Sequence, residues 1–385
     1  MRIAINVLNA LAGAGISSFI NLLPELKRLD KKNEYYVFVS NRQKELIDNI
    51  PSGFHKKVIK YLPQNPFIRV VWEQLVLPLY LFVNKIDILY SGANLTIIFA
   101  PCKIVLTIEN SNPYSKLNLE WSKRDLLRNK LLKYLGWVSA KRADKIIFVS
   151  DDSKEKIVQQ LGLLQNKCIT IYHGFSNNSY IEKHNKNNLD SKENYLLTVG
   201  IILPHKNLRT LIQSFNILDK KYNYKGDLVI IGDIVNSYYF KKLYKLVNDL
   251  NLNRRIIFRG NVPYKEIKKH YKNADAFVFP SIEETFGMPL IEAMGMGVPI
   301  AASDCDLDEG NRGNCFNPFK EICGDSILYF NPFDKQDMAK VINRLLTEKD
   351  IRNELIRKGL EKAKTFPLEK GTIQRINLFN SLDKH

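Results

Sequence analysis

Pro280-Ser-Ile-Glu-Glu-Thr-Phe-Gly-Met-Pro-Leu-Ile-Glu-Ala-Met-Gly-Met-Gly-Val-Pro299 is the stretch on which the reading of this chain turns. The apolar run from Ala276 to Phe279 precedes it and reads as a buried strand. Pro289 suits the first turn of a helix, where its missing N–H costs nothing. Leu290, Ile291, Ala293 and Met294 continue that helix, and Gly295 and Gly297 end it. The expectation is a strand, a glycine loop at Phe286-Gly287-Met288-Pro289 and a helix over residues 289–294. Glu284 then sits in the loop and Glu292 in the first helical turn. Orphan N–H groups at such a helix start attract anions, phosphate above all. A carboxylate beside a phosphate site repels phosphate, so its partners are hydroxyls. Phosphate together with many hydroxyls describes a nucleotide sugar. Acidic residues near helix starts are also ordinary dipole partners in any α/β protein, so two glutamates alone do not settle the matter.

The whole string is more specific. It resembles the Glu-x7-Glu signature of the family-4 retaining glycosyltransferases (glycosyl transferases group 1), in which Pro-Ser-x-x-Glu-x-Phe-Gly-x-Pro-x-x-Glu-Ala-Met recurs. The resemblance implies a GT-B fold. It implies that Glu284 hydrogen-bonds the donor sugar, that Thr285, Phe286, Gly287, Met288, Pro289 and Leu290 line the donor, and that Glu292 binds the ribose hydroxyls.

Other segments resemble the same family. Gly200-Ile-Ile-Leu-Pro-His-Lys-Asn207 is similar to its Gly-x-x-x-Pro-x-Lys-Asn/Gly loop, which implies that Lys206 meets the donor diphosphate and neutralises the leaving group. Ile201 stands where relatives often carry arginine, and His205 stands where arginine is frequent, which leaves Arg259 as a substitute cation. Gly13-Ala-Gly15 resembles the N-terminal glycine loop that lets backbone approach donor or acceptor; read alone, it is a tight turn. Phe258-Arg-Gly-Asn-Val262 resembles a strand-end turn whose backbone contacts the base, with Val262 at its end. At Ile108-Glu-Asn-Ser-Asn-Pro113, Glu109 and Asn110 replace the histidine of many relatives, so no catalytic histidine is expected and Asn110 is the candidate polar contact to acceptor or sugar. His173 reads as structural. Arg69-Val-Val-Trp-Glu-Gln74, with the following Leu-Val-Leu-Pro78, is similar to a segment of enzymes that build bacterial polysaccharides, many using GDP-mannose; it reads equally well as a helix packing Trp72.

Length and composition frame these motifs. A chain of 385 residues exceeds a usual single core and suggests two domains. No signal-peptide pattern and five cysteines, an odd count, lead to the expectation of a reducing cytoplasm. Cys305, Cys315 and Cys323 cluster without any Cys-x2-Cys pair or nearby histidine, so no metal is expected. Asp304-Cys-Asp306 matches a metal-binding pattern of a different glycosyltransferase fold and reads here as a loop acid. The resemblance implies that the diphosphate is held by a helix dipole and cations, without metal or other cofactor.

No run reaches the roughly 20 apolar residues that span a bilayer. The net charge is +17, and residues 116–146 are rich in Lys and Arg interleaved with Trp121, Leu127, Tyr134 and Trp137. Such a segment suits either an anionic leaflet or a core-packing helix with a solvated basic face. No nucleic-acid recognition motif accompanies the charge.

Strands at 1–8, 35–40, 86–90, 103–108, 145–149 and 168–172, alternating with helical patterns, imply a doubly wound parallel sheet in an α/β fold. An asparagine-rich linker at 176–194 follows, and the alternation then restarts. The expected domains are an N-terminal acceptor-side Rossmann-like domain over 1–178 and a nucleotide-sugar-binding Rossmann-like domain over 192–366. A final helix at 367–385 crosses back to the first, and the donor is expected in the cleft where the two domains face one another.

The functional expectation is a retaining hexosyltransferase resembling bacterial O-antigen mannosyltransferases. It would move mannose from GDP-mannose to a glycan or lipid-linked acceptor in cell-surface polysaccharide synthesis, working in the cytoplasm or peripherally on the inner membrane face. A nucleotide-sugar epimerase on the same scaffold and a non-catalytic partner in polysaccharide assembly are the rival readings.

Overall fold

The computed structural model describes residues 1–9, 14–60, 66–92, 94–117, 119–175 and 194–383, so the expected linker at 176–194 falls almost wholly outside the described residues. The chain alternates strand and helix from its start through β4, with β5 following directly: β1 (Arg2–Asn6), α1 (Ala14–Leu29), β2 (Glu34–Ser40), α2 (Lys44–Asp48), β3 (His55–Ile59), α3 (Pro66–Val83), β4 (Ile88–Ser91) and β5 (Lys103–Ile108). Helix α4 (Lys123–Arg142), β6 (Lys145–Phe148), α5 (Asp151–Leu161) and β7 (Cys168–Thr170) complete this half. The second half runs β8 (Tyr195–Val199), α6 (Leu208–Tyr222), β9 (Asp227–Ile231), α7 (Ser237–Asp249), β10 (Ile256–Gly260), α8 (Tyr264–Asn273) and β11 (Ala276–Phe279). It continues with α9 (Met288–Gly295), β12 (Ile300–Ser303), α10 (Phe319–Cys323), β13 (Leu328–Phe330), α11 (Lys335–Thr347) and α12 (Lys349–Lys364), before α13 (Leu368–Leu382) closes the chain.

Two compact units result. One comprises Met1–Tyr114, Arg128–Gly174 and Leu368–His385, and the other Ser115–Leu127 and Phe175–Pro367. Residues 115–127 thus belong with the second unit, although they lie inside the span 1–178 read as the first domain. Specific contacts hold them there. Glu120 pairs with Arg209 at 2.8 Å and Lys242 at 2.9 Å, and the Trp121 ring lies 6.0 Å from that of His205.

The first unit carries a seven-stranded parallel sheet in the order β3-β2-β1-β4-β5-β6-β7. Its central strands are nearly all buried, which fits their continuous apolar runs. β3 (His-Lys-Lys-Val-Ile) has no such run, and its first three residues are exposed. It is an edge strand, where charge is tolerated and guards against stray pairing. The core gathers Phe19, Leu22, Leu23 and Leu26 of α1 against the sheet, with Leu378 and Phe379 of α13 in the same cluster. The helix expected after a Gly13–Gly15 loop begins at Ala14, so Gly15 is helical rather than part of a loop. Its carbonyl accepts from Ser18 Oγ at 3.0 Å. Gly13 lies outside the described residues.

The second unit repeats the arrangement with six parallel strands in the order β10-β9-β8-β11-β12-β13. The order runs outward from β8 in one direction and then restarts at β11 in the other. Right-handed crossovers make this reversal place the helices on opposite faces of the sheet, and a crevice opens where neighbouring connections diverge. That switch point lies between β8 and β11, paired through Leu196↔Ala276 and Leu197↔Phe277.

Three adjacent strands in this unit lead directly into glycine or end on it. Gly200 N donates to Ile231 O at 2.8 Å, and Gly232 N donates to Gly260 O at 2.9 Å. A Cβ at Gly232 would lie 1.9 Å from the Gly200 carbonyl oxygen, a contact no relaxed backbone accommodates. Gly232→Ala is therefore expected to lower unfolding stability by about 2–4 kcal/mol, read as a lower urea midpoint at unchanged slope. A midpoint equal to the parent chain would refute this packing.

Candidate active site

The switch point of the second unit brings together the two segments singled out in the sequence. From β8 the chain passes Gly200 and makes a single 3₁₀ turn at Pro204–Lys206, closed by Asn207 in the left-handed conformation (φ 53°). Asn207 tolerates that conformation and is held there, donating from Nδ2 to Pro332 O at 2.7 Å and accepting from Thr210 Oγ1 at 2.7 Å. Lys206 is thereby folded back over β8 and β11, with its ammonium 5.5 Å from the centroid of the Phe279 ring. The Lys206 stem passes beside Gly200, where an added Cβ would be in ordinary contact at 3.4 Å from Cε.

From β11 the chain passes Pro280 and Ser281 to Glu284. Glu284 N donates to Phe316 O at 2.8 Å, and Ser281 Oγ donates to Glu284 Oε1 at 2.8 Å. The same Oε1 pairs with Lys206 Nζ. Both side chains are largely buried, at 16% and 15% exposed. In such a setting an ammonium and a carboxylate need one another, because either alone carries an uncompensated desolvation cost. Thr198, Gly200, Lys206, Phe279, Pro280 and Ser281 line a shallow recess here.

Gly287 then opens α9. Its φ of 93° is left-handed, and a Cβ would come within 3.1 Å of Phe319 and 3.2 Å of Leu290. Helix α9 begins at Met288, with Pro289 in its first turn. This start moves Glu292 out of the first turn, where the sequence placed it, into the second. The Glu292 side chain is buried and accepts from Tyr271 Oη at 3.2 Å. Thr285, Phe286, Met288 and Leu290 are also buried around this turn. Val262, half-buried, follows β10. Sequence reasoning missed Phe316 and Tyr271, because a hydrogen-bond partner supplied by another element leaves no local pattern; Ser281, three residues before Glu284, stood inside the motif without an assigned role.

Arg259, the substitute expected for the cation missing at Ile201, is not among the residues lining the recess beside Lys206. The register of β10 shifts between Phe258 and Gly260, Arg259 is exposed, and β10 lies two strands from β8, roughly 9–10 Å away. Asp304 is a cap: its Oδ1 accepts from Asp306 N at 3.1 Å, and its Oδ2 pairs with Lys320 at 2.7 Å. Among the described residues no group of three or more His, Cys, Asp or Glu side chains is arranged to hold a metal ion. The five cysteines form no disulfide.

In the first unit, Asn110 is exposed at the end of β5, and its Oδ1 accepts from Asn112 N at 3.0 Å. Buried Asn94 holds this turn through the backbone N–H groups of Glu109 and Asn110. Glu109 lies 3.8 Å from His173 Nε2. Burial raises the Glu109 carboxyl to about 7 against the opposing attraction of Arg375. Burial, aided by repulsion from Arg375, pushes His173 down to about 3. Arg375 comes from α13 and donates to Tyr90 Oη at 3.4 Å and Gly371 O at 3.0 Å. His173 was read as structural, and its burial in this cluster shows where it sits; the link to Arg375 had no local signal.

The family model described as "Glycosyltransferase Family 4" matches residues 17–177, and "Glycosyl transferases group 1" matches residues 179–362. Together they account for most of the chain, which belongs to the family-4 (group 1) glycosyltransferases and has the GT-B class of fold. The O-antigen chain mannosyltransferase RfbU of Salmonella typhimurium is 30% identical over 213 residues, 55% of this chain and 54% of that protein. The O-antigen chain mannosyltransferase B of Escherichia coli is 28% identical over 247 residues, 62% of this chain and 61% of that protein. The chain thus spans a little over half the length of these curated relatives.

Among solved structures, sucrose-phosphate synthase of Thermosynechococcus elongatus superposes with a TM-score of 0.77 at 18% identity, covering 99% of both chains. WaaG, a glycosyltransferase involved in lipopolysaccharide biosynthesis, gives 0.74 at 14% identity, covering 98% of this chain and 99% of that one. Anabaena HepE, solved with UDP and glucose, gives 0.74 at 18% identity, covering 99% and 100%.

The Glu109 environment carries a pH signature. With a folded pKa near 7 and an unfolded value of about 4.3, Glu109 keeps its proton in the folded chain while the unfolded chain releases it. Its contribution to stability therefore falls as pH rises from about 4.5 to about 7 and levels off above. His173, depressed, contributes the opposite slope below its unfolded value, but equally in parent and variant. The stability of the parent chain relative to Glu109→Gln should decline by on the order of 2–3 kcal/mol between about pH 4.5 and 7.5 in urea melts. A pH-independent difference would contradict the assignment.

Proposed function

We propose that the protein is a retaining hexosyltransferase that takes mannose from GDP-mannose and places it on a glycan or lipid-linked acceptor during cell-surface polysaccharide synthesis. The observation that carries this reading is the Lys206–Glu284 pair at the β8/β11 switch point, beside the start of α9. Open parallel sheets bind ligands at such points. One cation, one carboxylate and a helix start suit a ligand that is part phosphate and part polyol. The choice of mannose is supported by the names of the two O-antigen mannosyltransferase relatives.

In this reading the incoming diphosphate exchanges for Glu284 as the partner of Lys206. The freed Glu284 accepts hydrogen bonds from sugar hydroxyls. Backbone from Thr285 to Leu290 lies along the donor, Glu292 accepts from the ribose hydroxyls, and the Val262 turn meets the base. The bond between the anomeric carbon and the diphosphate oxygen breaks as the acceptor oxygen attacks the same face, and the acceptor proton passes to the departing diphosphate. Lys206 and the amino end of α9 stabilise the negative charge that develops there. No metal is needed for that step. The setting is cytoplasmic, with peripheral contact to the inner face of the membrane.

A panel of radiolabelled nucleotide sugars tests the donor. Labelled mannose released or transferred from GDP-mannose supports the proposal, whereas an epimerised nucleotide sugar, or no turnover of any donor, overturns it. Glu284→Ala should lower kcat by about 10²–10³ and leave GDP affinity within about threefold; near-parental turnover would sink the role of Glu284. Excess EDTA should leave the rate within about twofold, and a loss of tenfold or more reversed by added Mg²⁺ would replace the cation-and-dipole account with a metal-assisted one.

A further inference from the structure

Helix α3 inverts the usual order of a surface helix. From Ile68 to Val83 every exposed residue is large and apolar, and Leu75, Leu79, Phe82 and Val83 are 66%, 68%, 71% and 75% exposed. The positions 68, 71, 75, 79 and 82 advance by three and four, so these side chains form one stripe along a helix about 27 Å long. The polar side chains of α3 turn inward instead. Buried Glu73 accepts from Asn6 Nδ2 at 3.4 Å and Asn9 Nδ2 at 3.1 Å. Gln74 donates to Thr96 O at 3.2 Å and accepts from Ile98 N at 2.8 Å. These inward bonds, with Leu77 and Leu81 in the interior, fix the rotation of the helix and keep the apolar stripe outward.

The same anchoring presents a second element. Phe99 is 79% exposed, and the residues on either side of it are tied down. Arg142 donates to Ile98 O at 2.9 Å and to Ala100 O at 3.0 Å. Soluble proteins scatter single exposed apolar residues freely but seldom leave a whole helix face and a pinned aromatic uncovered.

Charge distinguishes the occupant. The described part of α3 exposes no carboxylate. Lys57 of edge strand β3 is exposed and lies 5.4 Å from the centroid of the Tyr80 ring of α3. Lys85, also exposed, closes the helix in the left-handed conformation (φ 51°), with its N–H on Phe82 O at 3.1 Å. Two copies joined through this stripe would bring like-charged rims together, whereas an anionic leaflet complements them. No described helix is long and apolar enough to cross a membrane, and one face of α3 is committed to the interior, so the helix can only lie in the plane of an interface.

We propose that α3 and Phe99 form a docking surface for an anionic lipid bilayer, with the stripe seated at the headgroup–acyl boundary and Lys57 and Lys85 at the level of the phosphates. The basic stretch at 116–146, the sequence's own candidate for this contact, is a less suitable surface. Helix α4 mixes exposed Leu126, Leu127, Tyr134 and Trp137 with exposed Lys123, Arg124, Arg128 and Lys130. The docking surface belongs to the first unit and the proposed donor site to the second, and they share no residue, so vesicle binding and sugar transfer fail separately.

The test is co-sedimentation of the full chain with phosphatidylcholine vesicles, with and without about 30 mol% phosphatidylglycerol. Binding should require the anionic lipid, and Leu75→Asp with Leu79→Asp should reduce the partition coefficient by about tenfold or more. Lys57→Glu with Lys85→Glu should weaken it several-fold on anionic vesicles. All four positions are exposed, and an unchanged thermal melt confirms folding. Binding of the leucine variant within twofold of the parent, or no binding by the parent, overturns the proposal. So does a parent that is dimeric by light scattering and indifferent to vesicles, with a monomeric leucine variant, since the stripe would then join two copies.

Discussion

The reversal of strand order between β8 and β11 is the constraint on which the second unit depends. It follows from two elementary facts: crossovers between parallel strands are right-handed, and a sheet with both faces apolar must carry helices on both. Once the winding direction changes, two neighbouring strands send their connections to opposite faces, and the backbone between them stays open. Lys206 and Glu284, 78 residues apart, then meet across that opening as a matter of topology.

Pairing these two groups solves a problem that each creates. A lysine folded back onto buried aromatics and a carboxylate beneath a helix start are both poorly hydrated, and each compensates the other. Under the proposed function, the same exchange would admit a ligand with an anionic and a hydroxyl-bearing end, each partner being released to a group of matching character. The Glu109, His173 and Arg375 cluster follows the opposite rule. There burial dominates, both Glu109 and His173 are driven toward their neutral forms, and Arg375 is left as the charged member, bonded to Tyr90 and its own helix.

Helix α3 shows how polar satisfaction can override hydrophobic order. Glu73 and Gln74 bond inward to backbone and asparagine side chains, and the aliphatic residues are left facing out. Burying those polar groups without partners would cost more than exposing several leucines and valines, provided something apolar eventually covers the stripe. A bilayer with an anionic surface meets that condition.

Much of this was legible in the sequence. The apolar runs of β5, β8 and β11, the glycine loop around Gly287 and the existence of the helix that follows it are local features, set by backbone sterics within a few residues, and the motif around them identified the family before any contact was known. Edge strand β3 was not legible, because a lysine-rich strand with one solvated side lacks the run that marks a buried one. The turn of Glu292 was misjudged by the choice between Met288 and Pro289 as the helix start, a difference a pattern of apolar residues does not resolve. Tertiary structure alone decided which distant residues meet: Lys206 with Glu284, Tyr271 with Glu292, and Arg375 of the last helix with Tyr90. It also decided which way α3 faces. Sequence determines local conformation through short-range sterics and periodicity, whereas the partners of a buried charge depend on strand order and helix rotation, which are settled only when the whole core packs.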